Sequence, residues 1–78
     1  MKSRTQVEDE VKRIFEEQFG GEILDWQKSW ADYNFSSIQL VYFLKELEEV
    51  FGPIPIEKFY DLNNGKELVD YLLNRFET

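Results

Sequence analysis

The sequence predicts an all-α fold: a small four-helix bundle, three main helices plus one short helix, with a long loop between helices 1 and 2. Three observations carry that expectation. Apolar residues recur at three- and four-residue spacing in three separate segments. Glycine, proline or an Asn-Gly pair stands after each of the first two segments and before the last. The chain has 78 residues, 42% of them hydrophobic and 17% aromatic, enough for one core and one domain over 1–78. A domain of this size is only marginally stabilised by its core.

Helix 1 is expected over about 5–19. Val7, Val11, Ile14, Phe15 and Phe19 share one face, while Glu8, Asp9, Lys12, Arg13, Glu16 and Glu17 cover the other. Thr5 and Glu8 have the spacing of a capping box. Gly20-Gly21 supplies the C-cap. Residues 22–35 lack a sustained period and form a long loop. Its aromatics suggest a loop pinned onto the helices, with room for a short helical turn. Trp26 and Trp30 are read first as staples to the core and second as partner anchors; a buried indole needs a hydrogen-bond acceptor.

Helix 2 is expected over about 37–51. Val41, Leu44, Leu47 and Phe51 make its apolar stripe, widened by Leu40 and Phe43. Ser36 and Ser37 stand where an N-cap is wanted, and Gly52-Pro53 stops the helix. Pro53-Ile54-Pro55-Ile56 is expected to be extended, because a proline turns its predecessor away from helix. A short helix over about 57–62 carries Phe59 and Leu62 inward. The last helix, about 65–76, has the stripe Leu68, Val69, Leu72, Leu73 and Phe76. Asn64, with Glu67 three residues on, is its expected N-cap.

Composition excludes several functions. There is no Cys and no His, which removes disulfides, thiolate or imidazole metal sites, thiol nucleophiles and a Ser-His-Asp triad. Asp61-Leu62-Asn63-Asn64-Gly65 lacks the ligand spacing and closing Glu of a calcium loop. No residue pairs a nucleophile with a base, so an enzyme is not expected. Sixteen acidic residues against 9 basic ones leave a net charge of -7, the wrong sign for a nucleic-acid backbone. No stretch approaches the length of a membrane span, and no apolar segment of a signal peptide follows Met1. A cytoplasmic monomer is expected. The Met1 start and the lack of a Pro- or Ser-rich linker suit a free-standing protein and equally an excised domain.

The segment Asp32-Tyr33-Asn34-Phe35-Ser36-Ser37-Ile38 resembles the signature of acyl and peptidyl carrier proteins, Asp-Leu-Gly-x-Asp-Ser-Leu at the start of the second helix. Leu47-Glu48-Glu49-Val50-Phe51-Gly52 is similar to the end of that helix in the family, and Glu67 to Leu72 to its last helix. The resemblance covers roughly the whole chain and implies a four-helix bundle with a long first loop. It implies that Ser37 receives 4'-phosphopantetheine from coenzyme A through a magnesium-dependent phosphopantetheinyl transferase. The arm would then hold acyl or aminoacyl groups as thioesters, exchanged with a loading enzyme of adenylation or acyltransferase type and with downstream synthase or tailoring enzymes. The phosphate would lie at a helix N-terminus, where unpaired amides favour an anion. The bland reading of Ser37 is a plain N-cap; capping and modification can coexist on the Ser36-Ser37 pair.

Three departures stand out. Ser36 replaces the family's Asp, Asn34 its Gly, and Ile38 its Leu. The lost Asp turns the expectation from a fatty-acid carrier toward a peptide or polyketide pathway. Helix 2 is the surface that partners of such carriers read. Here Ser36, Ile38, Gln39, Tyr42 and Lys45 form a mixed patch near the attachment point, and Glu46, Glu48 and Glu49 an acidic end, against which partial burial and plain solvation stand as alternatives. Trp26, Trp30 and Phe35 would extend the patch. A fatty-acid or D-alanine carrier, and a helical interaction module without the arm, are the alternative readings.

Overall fold

The structure is a computed structural model that describes residues 3–33 and 35–77, of Phe76 and Glu77 the backbone only. Asn34 and the side chain of Phe76 thus lie outside the described residues. Among the described residues four helices form: α1 (Arg4–Gln18), α2 (Ser37–Phe51), the short α3 (Ile56–Asp61) and α4 (Gly65–Glu77). The all-α bundle expected from the stripes is the one that folds. No helix among the described residues is long and apolar enough to cross a membrane.

Helix α1 begins a residue before the expected start and takes a different cap. Ser3 Oγ accepts from the Gln6 amide at 3.2 Å, and Gln6 Oε1 accepts from the Ser3 amide at 2.9 Å. Ser3/Gln6 has the same three-residue spacing as Thr5/Glu8, and the earlier pair starts the helix two residues sooner than a Thr5 cap would. Val7, Val11, Ile14 and Phe15 are buried, and Phe19 closes the helix as its C-cap. Gly20 and Gly21 both take positive φ, as a chain reversal there requires. α1 packs against α2 and α4.

Helix α2 spans the expected residues, with its buried stripe slightly rotated. Phe43, Leu44, Leu47 and Phe51 are buried, Leu40 packs beside them, and Val41 lies on the flank. Gly52 ends the helix at φ 90°. In the strap that follows, Glu48 Oε2 accepts from the Ile54 amide at 3.0 Å, which turns Ile54 into the core. Pro55 caps α3, so Ile56 begins that helix and is not extended. Phe59 is buried and Leu62 half-buried. Asn64 Oδ1 accepts from the Glu67 amide at 2.9 Å, whereas the Glu67 carboxylate reaches back to the Asn63 amide at 2.9 Å, one residue beyond a standard box.

The long first loop is pinned at both ends. Trp30, in a 3-10 turn over Trp30–Asp32, donates its backbone amide to Asn63 O at 2.9 Å, and Lys66 donates its amide to Trp26 O at 2.9 Å. Trp26 covers Gly65 so closely that a Cβ there would lie 2.8 Å from Trp26 Cε3. Both tryptophans thus serve as staples. Trp30 is buried, yet its Nε1 finds no acceptor among the described residues. Tyr33 is buried too, and its hydroxyl accepts from the Asp25 amide at 2.8 Å.

One ion-pair cluster ties the first helix to the last. Asp70 takes Arg4 Nη1 at 2.8 Å and Lys66 Nζ at 3.3 Å. The Arg4 hydrogen bond, aided by Lys66, lowers the Asp70 carboxyl below its ordinary value of 3.8. A carboxyl lowered on folding stabilises the native state above its unfolded pKa. That contribution disappears as pH falls through the unfolded and then the folded value. Acid unfolding monitored by circular dichroism therefore shows a shallower loss of stability below pH ~4 in Asp70→Asn than in the wild type. In the core, Leu47→Ala costs roughly 2–5 kcal/mol in denaturant unfolding, because Leu47 is fully buried.

Candidate functional site

The start of α2 divides two adjacent serines between two tasks. Ser36 is the N-cap: its Oγ accepts from the Gln39 amide at 3.3 Å, and its own amide donates to Gln39 Oε1 at 2.9 Å. Ser36 Oγ also lies 3.2 Å from Gln39 Oε1, to which its hydroxyl donates. This closed box anchors the first turn. Ser37 is the first helical residue, exposed, and its hydroxyl has no hydrogen-bond partner among the described residues. The amides of Ser37 and Ile38 have no intrahelical acceptor, as in the first turn of any helix. No acidic side chain stands in that turn. An anion attached at Ser37 would meet unpaired N–H groups and the positive end of the helix dipole.

Beyond the first turn, α2 presents one outward stripe. Ile38, Tyr42, Lys45 and Glu49 follow one another at spacings of four, three and four residues, with Glu46 beside them. Ile38 keeps 59% and Tyr42 49% of its surface exposed. Both count among the large apolar residues that the surface exposes, with roughly half of each side chain covered. Gln39 differs: it is half-buried, with its side-chain oxygen committed to Ser36. The loop aromatics expected to widen this patch do not all join it. Trp30 is in the core and Phe35 is half-buried among aromatic rings.

Two features beside the site were not anticipated from the sequence. Ile56 and Tyr60, four apart on α3, are exposed large apolar residues; their helical spacing is the signal that would have found them. A pocket of ≈ 170 Å³ opens between the first loop and α3, lined among others by Trp30, Leu40, Phe59 and Leu62. Leu40 is one turn beyond Ser37. No sequence pattern marks such a cleft, because it forms where three separated segments meet.

A bundle with a long first loop, and a serine standing free at the start of its second helix, is the architecture of a covalent carrier domain. The family model of the phosphopantetheine attachment site matches residues 9–72, and the chain belongs to that family. Members of the family are carriers without catalytic activity of their own, and their prosthetic group is covalently attached 4'-phosphopantetheine. Over 49 residues, 63% of this chain, it is 44% identical to a stretch of the polyketide synthase PksR of Bacillus subtilis (strain 168). The chain spans 2% of the length of that protein. No solved structure matches the chain.

The first turn of α2 suits the group that the family carries, since the hydroxyl is exposed and the nearest backbone donors favour a phosphodiester. The two serines separate in a stability measurement. Ser36→Ala lowers unfolding free energy by about 0.5–2 kcal/mol through the lost cap, whereas Ser37→Ala leaves thermal and denaturant midpoints close to wild type.

Proposed function

We propose that Ser37 is the attachment residue for 4'-phosphopantetheine and that the chain carries acyl or aminoacyl intermediates of a polyketide- or peptide-type pathway. The observation that carries the reading is the separation of roles in the serine pair. Ser36 is consumed by the cap, so it holds the helix start; Ser37 is left exposed with an uncommitted hydroxyl. The likeness to a segment of a polyketide synthase supports the pathway class.

In the attachment step Ser37 Oγ forms a bond to the phosphorus next to pantetheine, and the pyrophosphate bond of coenzyme A breaks. The serine proton passes to a base of the transferase, and the adenosine bisphosphate part leaves. This chain contributes only an oriented hydroxyl and a helix start that favours the phosphate charge. The bound arm supplies a thiol, on which cargo is held as a thioester. The absence of Cys and His is then no obstacle, because the arm brings sulfur and the partners bring bases.

The partners are the phosphopantetheinyl transferase, a loading enzyme and the enzymes that take the cargo onward. They read the stripe Ile38, Tyr42, Lys45, Glu46 and Glu49, with Ser36 and Gln39 at its upper edge. Its apolar head gives contact area, and its acidic end steers basic partner surfaces. The protein acts as a cytoplasmic monomer.

Intact mass spectrometry after incubation with coenzyme A, magnesium and a promiscuous transferase tests the assignment. The folded wild type gains one phosphopantetheinyl group. Ser37→Ala gains none, and Ser36→Ala still reaches the loaded mass on prolonged incubation. A folded wild type that gains nothing would point instead to a helical interaction module that has lost the arm.

A further inference from the structure

We propose that Phe35 is a positioning residue for arm attachment. Its ring fixes the entry of α2 and thereby the direction in which Ser37 presents its hydroxyl. The inference rests on the reading of Ser37 as the attachment residue. Phe35 occupies the place where the carrier signature admits any residue, so its role belongs to this chain's own packing.

Phe35 immediately precedes the N-cap. Its ring stacks on Phe19 at 3.8 Å between centroids with the planes 10° apart. It also stacks on Tyr33 at 5.0 Å and 5°. Phe15 meets it edge-on at 5.8 Å. Each neighbour is itself held. Phe19 is the C-cap of α1. The Tyr33 hydroxyl accepts from the Asp25 amide at 2.8 Å and donates to Asp25 O at 3.3 Å, and Lys28 Nζ lies 4.4 Å from the centre of its ring. The series Phe19, Phe35, Tyr33 therefore links the end of one helix to the start of the next.

Downstream, the Ser36 amide is fixed by Gln39 Oε1. The backbone that enters α2 is thus clamped on both sides of Ser36. Ser37 comes next, and its own side chain adds no restraint, being exposed and without a hydrogen bond to the described residues. Its direction is inherited from the stack before it and the cap after it. Attack on phosphorus needs the oxygen in line with the departing group, and a misplacement of about 1 Å can cost about 100-fold. A flat ring held between two others limits such movement in a way that an equally apolar but round side chain does not.

Steady-state kinetics of arm transfer on Phe35→Tyr, Phe35→Leu and Phe35→Ala test this, at a temperature where circular dichroism shows each variant folded. Phe35→Tyr keeps the stack and the wild-type rate. Phe35→Leu and Phe35→Ala lose roughly 10–100-fold in kcat with little change in KM, because the docking stripe along α2 is untouched. Wild-type kcat in both folded variants overturns the proposal. So does a rise in KM alone, which would make Phe35 a contact for the transferase. Should Phe35→Ala fail to fold, the pair Phe35→Leu and Phe35→Tyr decides by the same criterion. A folded wild type that accepts no arm overturns the Ser37 reading and this one with it. A loaded wild type beside unaffected variants overturns this one alone.

Discussion

Phe15 lies where α1, the first loop and α2 meet, and its ring touches Phe19, Trp30, Tyr33, Phe35 and Phe43 at centroid distances of 4.8 to 6.3 Å. A chain without disulfides has to hold its long first loop by burial and hydrogen bonds. The aromatic cluster supplies the burial. Each well-placed ring pair adds about 0.5–1.5 kcal/mol beyond its buried area. The loop in turn passes under the turn before α4, where Trp26 and Trp30 make backbone hydrogen bonds to Lys66 and Asn63. Without the cluster, the loop between α1 and α2 would be held only by its hydrogen bonds to the turn before α4.

The site depends on that definition. α2 presents two faces with different tasks. The inner one, with Phe43, Leu44, Leu47 and Phe51, holds the helix in the bundle. The outer one, with Ile38, Tyr42, Lys45 and Glu49, stays exposed. At the junction the Ser36–Gln39 box ends the helix cleanly without placing a carboxylate beside Ser37. A neutral cap in place of the family's Asp would keep like charge away from a phosphate attached at Ser37. Stability and presentation are thus served by neighbouring residues, one hydrogen-bonded and one free.

Much of this was legible in the residues. The bounds of α2 were readable because serine and glycine mark its two ends and the apolar stripe between them has helical spacing. The start of α1 was less so, since Ser3/Gln6 and Thr5/Glu8 satisfy the same capping pattern and lie only two residues apart. The rotation of the α2 stripe toward Phe43 was not readable either, because Val41 and Phe43 are both apolar and spacing alone does not say which one meets α1. Trp26 and Trp30 are the anchors that loop aromatics imply, whereas Phe35, expected on the surface patch, stacks inside on Phe19. The reason is that stacking on Phe19 depends on the α1 terminus and the α2 entry lying side by side.

By itself, the sequence determined the helical segments, their order, the exclusion of thiol and imidazole chemistry, and the family through the run from Asp32 to Ile38. These are properties of local spacing and residue type, which need no knowledge of distant neighbours. Only the tertiary structure decided which serine caps and which is free, where Gln39 points, and that Phe35 lies between Phe19 and Tyr33. Each is a choice between local options of similar free energy. The Ser36–Gln39 box is settled within three residues, whereas the place of Phe35 depends on Phe19, a contact that exists only once the bundle has closed.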